Sequence, residues 1–340
     1  MGKELYIKLE NEIIQCIACN RKCKIPAGKT GFCKVRENKN GKLNLLVYEK
    51  PCAVWIDPIE KKPLFHFLPG TQSYSIGTYG CNFNCKFCQN WSISQAPKEF
   101  EKDFGKMLAK LQILCPQKAV EEAIRGGCKS ISYTYTEPTI FSEYAKDIGI
   151  LARKKGLKNV YVTNGYQTKE CWNYLSDFVD GANIDIKGNE KFYKELCGNV
   201  KLRYVLDSVK YAKKLGIWVE VTTLLIPNEN DSDEFIERIA KFLYSVDPKT
   251  PWHITAFHPD YKMTGGNPTS IQSLINARKI AKEIGLENIY CGNMLNEHEN
   301  TICPECRKTI IERIGFRIVN NNIINGRCIY CKSKIVGVFE

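Results

Sequence analysis

The sequence predicts an α/β protein built on an incomplete β/α barrel, with a small cysteine-rich segment before the barrel and a zinc-ribbon-like, four-cysteine domain after it. Three observations point there. From about residue 73 to 295, short β-branched apolar runs alternate with longer stretches of helical periodicity, which is the pattern of parallel strands joined by crossover helices. No G-x-G-x-x-G follows the first of these strands, which favours a barrel over a doubly wound sheet. Finally, of 17 cysteines, four gather near the N-terminus and four in the tail. With no secretion signal in MGKELYIKLENEI, thiols for metals or catalysis are expected rather than disulfides.

The elements follow in order. Residues 1–70 carry CIACNRKC at 16–23, then Gly28, Gly31 and Cys33, a strand-like LNLLVYE at 43–49, and DPIEKKPLFHFLPG at 57–70. The prolines of that last stretch forbid long regular elements and predict an ordered loop. Residues 71–295 form the barrel, with strands in SYSIGTY, CKSISYTYT, NVYVTNG, ANIDIKG, IWVEVTTLLIP, WHITAFHP and NIYCGN. Helices are expected in KAVEEAIRGG, YAKDIGILARKKG, SVKYAKKLG and DEFIERIAKFLYSV. In such barrels chemistry sits at the C-terminal strand ends, where Cys81, Thr136, Glu137, Asn164, Asp185, Lys187 and His258 fall. Residues 296–340 hold the pairs CPEC and CIYC.

Apolar residues at 44% and charged residues at 25% are ordinary for a soluble protein. No apolar run approaches the roughly 18 residues a membrane span needs, so a cytoplasmic protein without a membrane role is expected. The net charge of +12 mildly favours an anionic partner such as RNA or a phosphorylated metabolite. Lysines are scattered among matching acids, however, which reads as a solvated surface.

The chemistry begins in GTYGCNFNCKFCQNW at 77–91, where Cys81, Cys85 and Cys88 stand in C-x3-C-x2-C spacing. Three thiolates from a tight loop suit a [4Fe-4S] cubane whose fourth iron stays open to a ligand. The alternative is a structural metal loop that borrows a fourth ligand elsewhere. With Phe87 just before the last cysteine, the motif resembles that of the radical S-adenosylmethionine (radical SAM) superfamily. Within it, the chain is similar to activating enzymes for glycyl radical proteins, and CNFNCKFCQNWSISQ, DPIEKKPLFHFLPG, YTEPT and TLLIP resemble the AmmeMemoRadiSam-system radical enzymes.

That resemblance implies a partial barrel of radical SAM type in which the open iron chelates the methionine part of S-adenosylmethionine. One-electron reduction, from a flavodoxin- or ferredoxin-type donor, then gives a 5′-deoxyadenosyl radical that abstracts hydrogen from a protein glycine, an RNA or a small metabolite. It makes Cys81, Cys85 and Cys88 the cluster ligands. Phe87, Thr136, Glu137, Asn164, Asp185, Lys187 and His253 become candidates for the S-adenosylmethionine site. Tyr135-Thr136-Glu137 stands where the family has Gly-Gly-Glu, and D-I-K at 185–187 resembles the activases' D-x-K. A radical must be shielded from water, so DPIEKKPLFHFLPG is expected to edge the mouth with Lys61, Lys62 and His66 facing it. The alternative is a linker packed by Leu64, Phe65 and Phe67.

In the tail, Cys303, Cys306, Cys328 and Cys331 have zinc-ribbon spacing, with a hairpin turning at the asparagines between them; iron in a four-thiolate site is the alternative. Cys16, Cys19, Cys23 and Cys33 are expected to hold a metal, either zinc or an auxiliary iron–sulfur cluster. Cys52, Cys115, Cys128, Cys171, Cys197 and Cys291 read as small buried hydrophobes. The rival reading of the whole chain is a non-catalytic iron–sulfur and zinc protein that binds RNA or protein or transfers electrons.

Overall fold

The structure, a computed structural model, describes residues 4–294 and 297–340. Its centre is one eight-stranded sheet: β1 (Ala53–Pro58), β2 (Gln72–Gly77), β3 (Ser130–Tyr133), β4 (Lys158–Thr163), β5 (Gly181–Asp185), β6 (Trp218–Leu225), β7 (Trp252–Ala256) and β8 (Ile289–Gly292). Strands neighbour one another in sequence order, with β2 to β8 parallel and β1 antiparallel to β2. β1 and β8 do not pair, so the barrel is open. The seven parallel strands coincide with the seven apolar runs, whereas β1 lies just beyond the expected strand at 43–49. That segment instead forms a separate two-stranded hairpin, Arg36–Lys39 with Lys42–Leu45.

Six crossover helices, α1 (Pro116–Arg125), α2 (Ser142–Lys154), α3 (Lys169–Leu175), α4 (Leu202–Lys214), α5 (Asp233–Val246) and α6 (Ile271–Ile284), follow β2 to β7 in turn. Their starts are marked locally: Pro116 opens α1, and the side chains of Thr168, Ser232 and Ser270 accept the amides of Cys171, Phe235 and Ser273. Outward residues such as Ile131, Tyr133, Ile184 and Val221 join the main core with these helices. The strand period of two then turns the alternate set inward, and that set is polar: Ser73, Ser130, Ser132, Asn183, Glu220, Thr222 and His253 are all buried.

The stretch after β1 closes the N-terminal end of this interior. Phe67 packs against Gly181, the first residue of β5, where a Cβ would lie 2.9 Å from the ring. Pro63 gives its carbonyl to Asn183 Nδ2 at 2.7 Å. The amides of Phe65 and His66 both donate to the Glu220 carboxylate, at 2.9 and 2.8 Å. This corrects the expectation that Lys61, Lys62 and His66 edge the mouth, because the antiparallel β1 delivers the loop to the end where parallel strands begin. The anchoring apolar side chains are Leu64, Phe65 and Phe67, all buried.

The tail docks on this plug. Residues Thr301–Ile302, Thr309–Ile314 and Arg317–Asn321 form an antiparallel sheet, and Ile323–Ile324 pairs with Arg327–Cys328. The hairpin turns at Gly315 and Phe316, between the paired Ile314 and Arg317, not at the asparagines: Gly315 has φ +56°, a left-handed value glycine supplies cheaply. Arg313 donates to the Phe65 carbonyl at 2.9 Å, the Val338 amide to the His66 carbonyl at 2.8 Å, and the Leu68 amide to the Val338 carbonyl at 2.7 Å. The N-terminal segment lies at the opposite end. Its Asn20 donates to the carbonyl of Gln167 at 2.8 Å, in the loop after β4, and Arg21 to that of Asn82 at 2.6 Å. Among the described residues, no helix is long and apolar enough to cross a membrane.

Glu220 is fully buried and also takes bonds from Trp218 Nε1 and His253 Nε2. Burial raises its pKa, but the bond and charge of His253 prevail and hold the carboxyl below its usual 4.5. Glu220→Ala strands these donors, and breaking such a buried cluster costs on the order of 3–5 kcal/mol, so anaerobic calorimetry should show a melting temperature lower by several degrees. The Glu220 contribution is complete above pH 4.5 and fades as the pH falls through the depressed value. The difference between wild type and variant should therefore shrink in acid.

Candidate active site

The three-cysteine loop begins four residues after β2, at the C-terminal end of the barrel. Cys85 is buried, and Cys81 and Cys88 are half-buried. Two N–H donors already point at sulfur, the Phe83 amide 3.3 Å and Asn164 Nδ2 3.9 Å from Cys81 Sγ, and the Ser94 hydroxyl lies in hydrogen-bonding contact 3.2 Å from Cys88 Sγ. Burial pushes the Cys81 thiol up while the Lys98 ammonium works against it, and the Cys197 hydrogen bond and burial push Cys85 up against Lys187 and Lys98. Phe87 is buried against Phe192, with ring centroids 5.3 Å apart, and holds the loop to the helix Glu190–Leu196. Cys197, expected as a small hydrophobe, lies beside Cys85 in hydrogen-bonding contact; nothing in its isolated position marked it.

Glu137 sits under this loop and is 1% exposed. Its Oε1 accepts the amide and hydroxyl of Thr139 and the hydroxyl of Thr163, and its Oε2 accepts the Asn164 amide at 2.7 Å. Glu137 therefore ties the end of β3 to the end of β4. Asn164 extends the tie to the cysteine loop, with Nδ2 donating to Asn82 Oδ1 at 2.7 Å. Thr136 donates its hydroxyl to the Thr78 carbonyl at 2.9 Å. Asp185, the last residue of β5, pairs with Lys187 just beyond it at 2.6 Å, and both remain partly open to solvent. Burial opposes the Lys187 ammonium, but Asp185 and Cys85 outweigh it and hold its pKa above the usual lysine value.

His253 is not with them. It is the second residue of β7, at the plugged end, bonded to Glu220 at 2.7 Å and stacked on Tyr290 at 5.3 Å. Its expected place beside S-adenosylmethionine is thereby corrected, since the period-two alternation turns it inward but three residues short of the strand's C-terminal end. His258 is exposed in the loop beyond. That loop reaches the cysteine loop through the Lys262 amide, 2.9 Å from the Lys86 carbonyl, and through Tyr261 stacked on Trp91 at 5.3 Å.

Tyr135 fills the place of a family glycine and adopts φ +67°. Its carbonyl accepts from Asn90 of the cysteine loop at 2.8 Å, and its hydroxyl reaches Asp57 at 2.5 Å. A side chain at Gly77 would collide with it, the nearest Tyr135 atom lying 3.0 Å from a Cβ. Lys62 rises from the plug to Asp57 at 2.6 Å and lies 4.6 Å from the Tyr135 ring. Burial draws the Lys62 pKa down to about 8 against the pull of Asp57. For Asp57, burial is outweighed by the bonds from Lys62, Tyr135 and Lys61, which hold its carboxyl well below the usual range. The column Tyr135–Asp57–Lys62 needs β1, so it was invisible without that strand.

Comparison with known proteins places this geometry. The chain is 47% identical over 334 residues, 97% of each chain, to "Uncharacterized protein MJ0808" of Methanocaldococcus jannaschii. The model of the radical SAM superfamily matches residues 75–243. Over 231 residues, 66% of this chain and 82% of the relative, the chain is 30% identical to "Putative glycyl-radical enzyme activating enzyme MJ1632" of the same organism. The chain belongs to the radical SAM superfamily. A radical SAM methyltransferase structure from Sphaerobacter thermophilus aligns with 67% of this radical SAM chain and 68% of its own, at 17% identity and a TM-score of 0.49.

The family implies a [4Fe-4S] cluster and S-adenosylmethionine, and the residues fit the cluster. Three thiols converge with N–H donors aimed at sulfur, a hydroxyl in contact with it and two lysines nearby. Their sulfurs are not packed within 4.8 Å of one another, whereas the four tail sulfurs are. In the tail, Cys303 and Cys331 stand 3.6 Å apart and Cys306 and Cys328 3.8 Å apart, the separation a single tetrahedral ion with bonds of about 2.3 Å imposes. Metal analysis of the purified radical SAM enzyme should find about one zinc bound there. Cys306→Ser should release it and lower the melting temperature, because the tail clamps the plug. An unchanged zinc content would refute the assignment.

Proposed function

We propose that this radical SAM enzyme abstracts a hydrogen atom from a compact polar metabolite held in the polar interior of the barrel. When bound at Cys81, Cys85 and Cys88, the cluster and S-adenosylmethionine supply the 5′-deoxyadenosyl radical by one-electron reductive cleavage of the sulfonium. In this reading Asp185 receives the ribose hydroxyls and Lys187 pairs the methionine carboxylate, a charge-assisted contact. Glu137 and Asn164 hold the cysteine loop at a fixed height over the strands, so the reacting atoms meet without a search for orientation. A one-electron donor of flavodoxin or ferredoxin type, in a cytoplasm that keeps the thiols reduced, completes the requirements.

One observation carries the substrate class. Asn183 Oδ1 on β5 and Thr222 Oγ1 on β6 face the interior, buried, with no hydrogen-bond partner. An unmet buried polar group costs about 1–3 kcal/mol, so a ligand with N–H or O–H groups is favoured there. Ordinary barrels fill this layer with bulky branched side chains; serines, asparagine and threonine leave it polar. The resemblance to MJ1632 favours a second reading, in which the hydrogen comes from a glycine of a protein partner.

The test is anaerobic reconstitution followed by reductant and S-adenosylmethionine, with chromatographic measurement of 5′-deoxyadenosine. Its formation should vanish in Cys81→Ala. Formation should rise when the low-molecular-mass fraction of an anaerobic cell extract is added, and Asn183→Leu should weaken that stimulation about tenfold while leaving the unstimulated rate. Stimulation by the macromolecular fraction alone would replace the metabolite by a protein or RNA.

A further inference from the structure

Four thiols outside the catalytic loop meet in the N-terminal segment. Cys16 ends the strand Ile14–Cys16, Cys19 and Cys23 follow, and the chain returns through Gly28 and Gly31 to Cys33. Gly28 makes the return with a left-handed φ of +70°, and Gly31 lets the chain pass close to Ile25 and Cys23. Cys16, Cys19 and Cys33 are buried, Cys23 is half-buried, and none is in a disulfide. The four line one gap, together with Arg36 and Asn82.

The spacing of the sulfurs separates an ion from a cluster. One tetrahedral zinc at about 2.3 Å from each thiolate draws four sulfurs to about 3.8 Å from one another, as in the tail. No three of the sulfurs of Cys16, Cys19, Cys23 and Cys33 lie within 4.8 Å of one another, and the same holds for Cys81, Cys85 and Cys88, where the family places a cubane. A cubane interposes irons and sulfides between its thiolates and so keeps them apart. Within this one chain, the N-terminal set matches the cluster loop and not the compact tail.

A second observation points to the same ligand. Arg36 is 2% exposed and Asn82 1% exposed. The terminal nitrogens of Arg36 are taken by Glu143 and the Ile140 carbonyl, but its Nε has no acceptor, nor has Asn82 Nδ2. Buried N–H groups left unpaired beside a gap call for acceptors inside it. Thiolates around an ion or a cluster accept such bonds, and a cluster adds its bridging sulfides as further acceptors. Arg21, which also lines the gap, donates to the carbonyls of Asn82 and Gly198 and adds positive charge near a four-thiolate centre.

We propose that Cys16, Cys19, Cys23 and Cys33 ligate a second [4Fe-4S] cluster, beside the first. The two sites are separated by little chain. Asn82 lining the gap is adjacent to Cys81, and the Cys33 carbonyl lies 2.9 Å from where Gly80 would carry a Cβ. Four thiolates leave no open iron, so this cluster binds no substrate. It takes one electron from a flavodoxin- or ferredoxin-class donor and passes one electron to the catalytic cluster, with no proton or bond change. The inference does not depend on which substrate the enzyme uses.

The experiment is anaerobic reconstitution of the full chain with 57Fe and sulfide, with iron, sulfide and zinc counted and Mössbauer spectra recorded. Wild type should hold about eight irons and eight sulfides, and the variant Cys81→Ala/Cys85→Ala/Cys88→Ala about four of each, still with cubane parameters. In wild type, S-adenosylmethionine should perturb about one iron in eight, a readout that needs no variant. Four irons in wild type, an iron-free triple variant with about two zincs, or two irons and two sulfides in that variant would each overturn the proposal.

Discussion

The buried carboxylate of Glu220 is the constraint on which the rest of the molecule leans. A charge taken fully out of water is tolerated only when surrounded by donors, and here the donors come from different parts of the chain: the Phe65 and His66 amides, Trp218 and His253. Satisfying Glu220 therefore requires the plug to be seated. A seated plug in turn presents the Phe65 carbonyl to Arg313 and the His66 backbone to Val338, and so the tail is docked. One end of an open barrel is sealed this way, and the three-cysteine loop lies at the other.

The opposite end repeats the device. Glu137 is also buried and also met by donors from separate elements, Thr139, Thr163 and Asn164. Burial pushes its pKa up, against the hydrogen bonds it accepts. Because its neighbour Asn164 grips Asn82, the cysteine loop is tied to two strand ends rather than left as a mobile turn. A radical enzyme needs that rigidity, since a misplaced radical attacks whatever is nearest.

What was legible in the sequence is what local pattern encodes. Seven β-branched runs with helical stretches between them fixed the parallel sheet, and C-x3-C-x2-C located the loop at the correct strand end. The errors have two causes. His253 sits at the start of a strand, and a motif reading could not tell which end of WHITAFHP faced the mouth. The stretch DPIEKKPLFHFLPG was assigned to the wrong end because β1, edge-paired and with Trp55 and Ile56 exposed, lacks the fully apolar signature of a buried parallel strand. Once β1 is known to run antiparallel, the direction of the plug follows. The same omission hid the Tyr135–Asp57–Lys62 column. Tyr135 could have been suspected, since a bulky residue in place of a family glycine needs some special accommodation, which Gly77 provides.

The three cysteine groups show why spacing in sequence and spacing in space carry different information. C-x2-C pairs joined by 21 residues bring the tail sulfurs to contact distance, in a small sheet with few buried side chains, Ile310 and Ile335 among them. The N-terminal set has equally tight sequence spacing, yet the chain holds its sulfurs apart and lines the same gap with Arg36 and Asn82, each with a buried N–H left unpaired. A backbone that only needed bracing would have closed around an ion. One that keeps its thiols apart and lays that gap against the Cys81 loop is arranged to hold a larger, electron-carrying group next to the place where the electron is used.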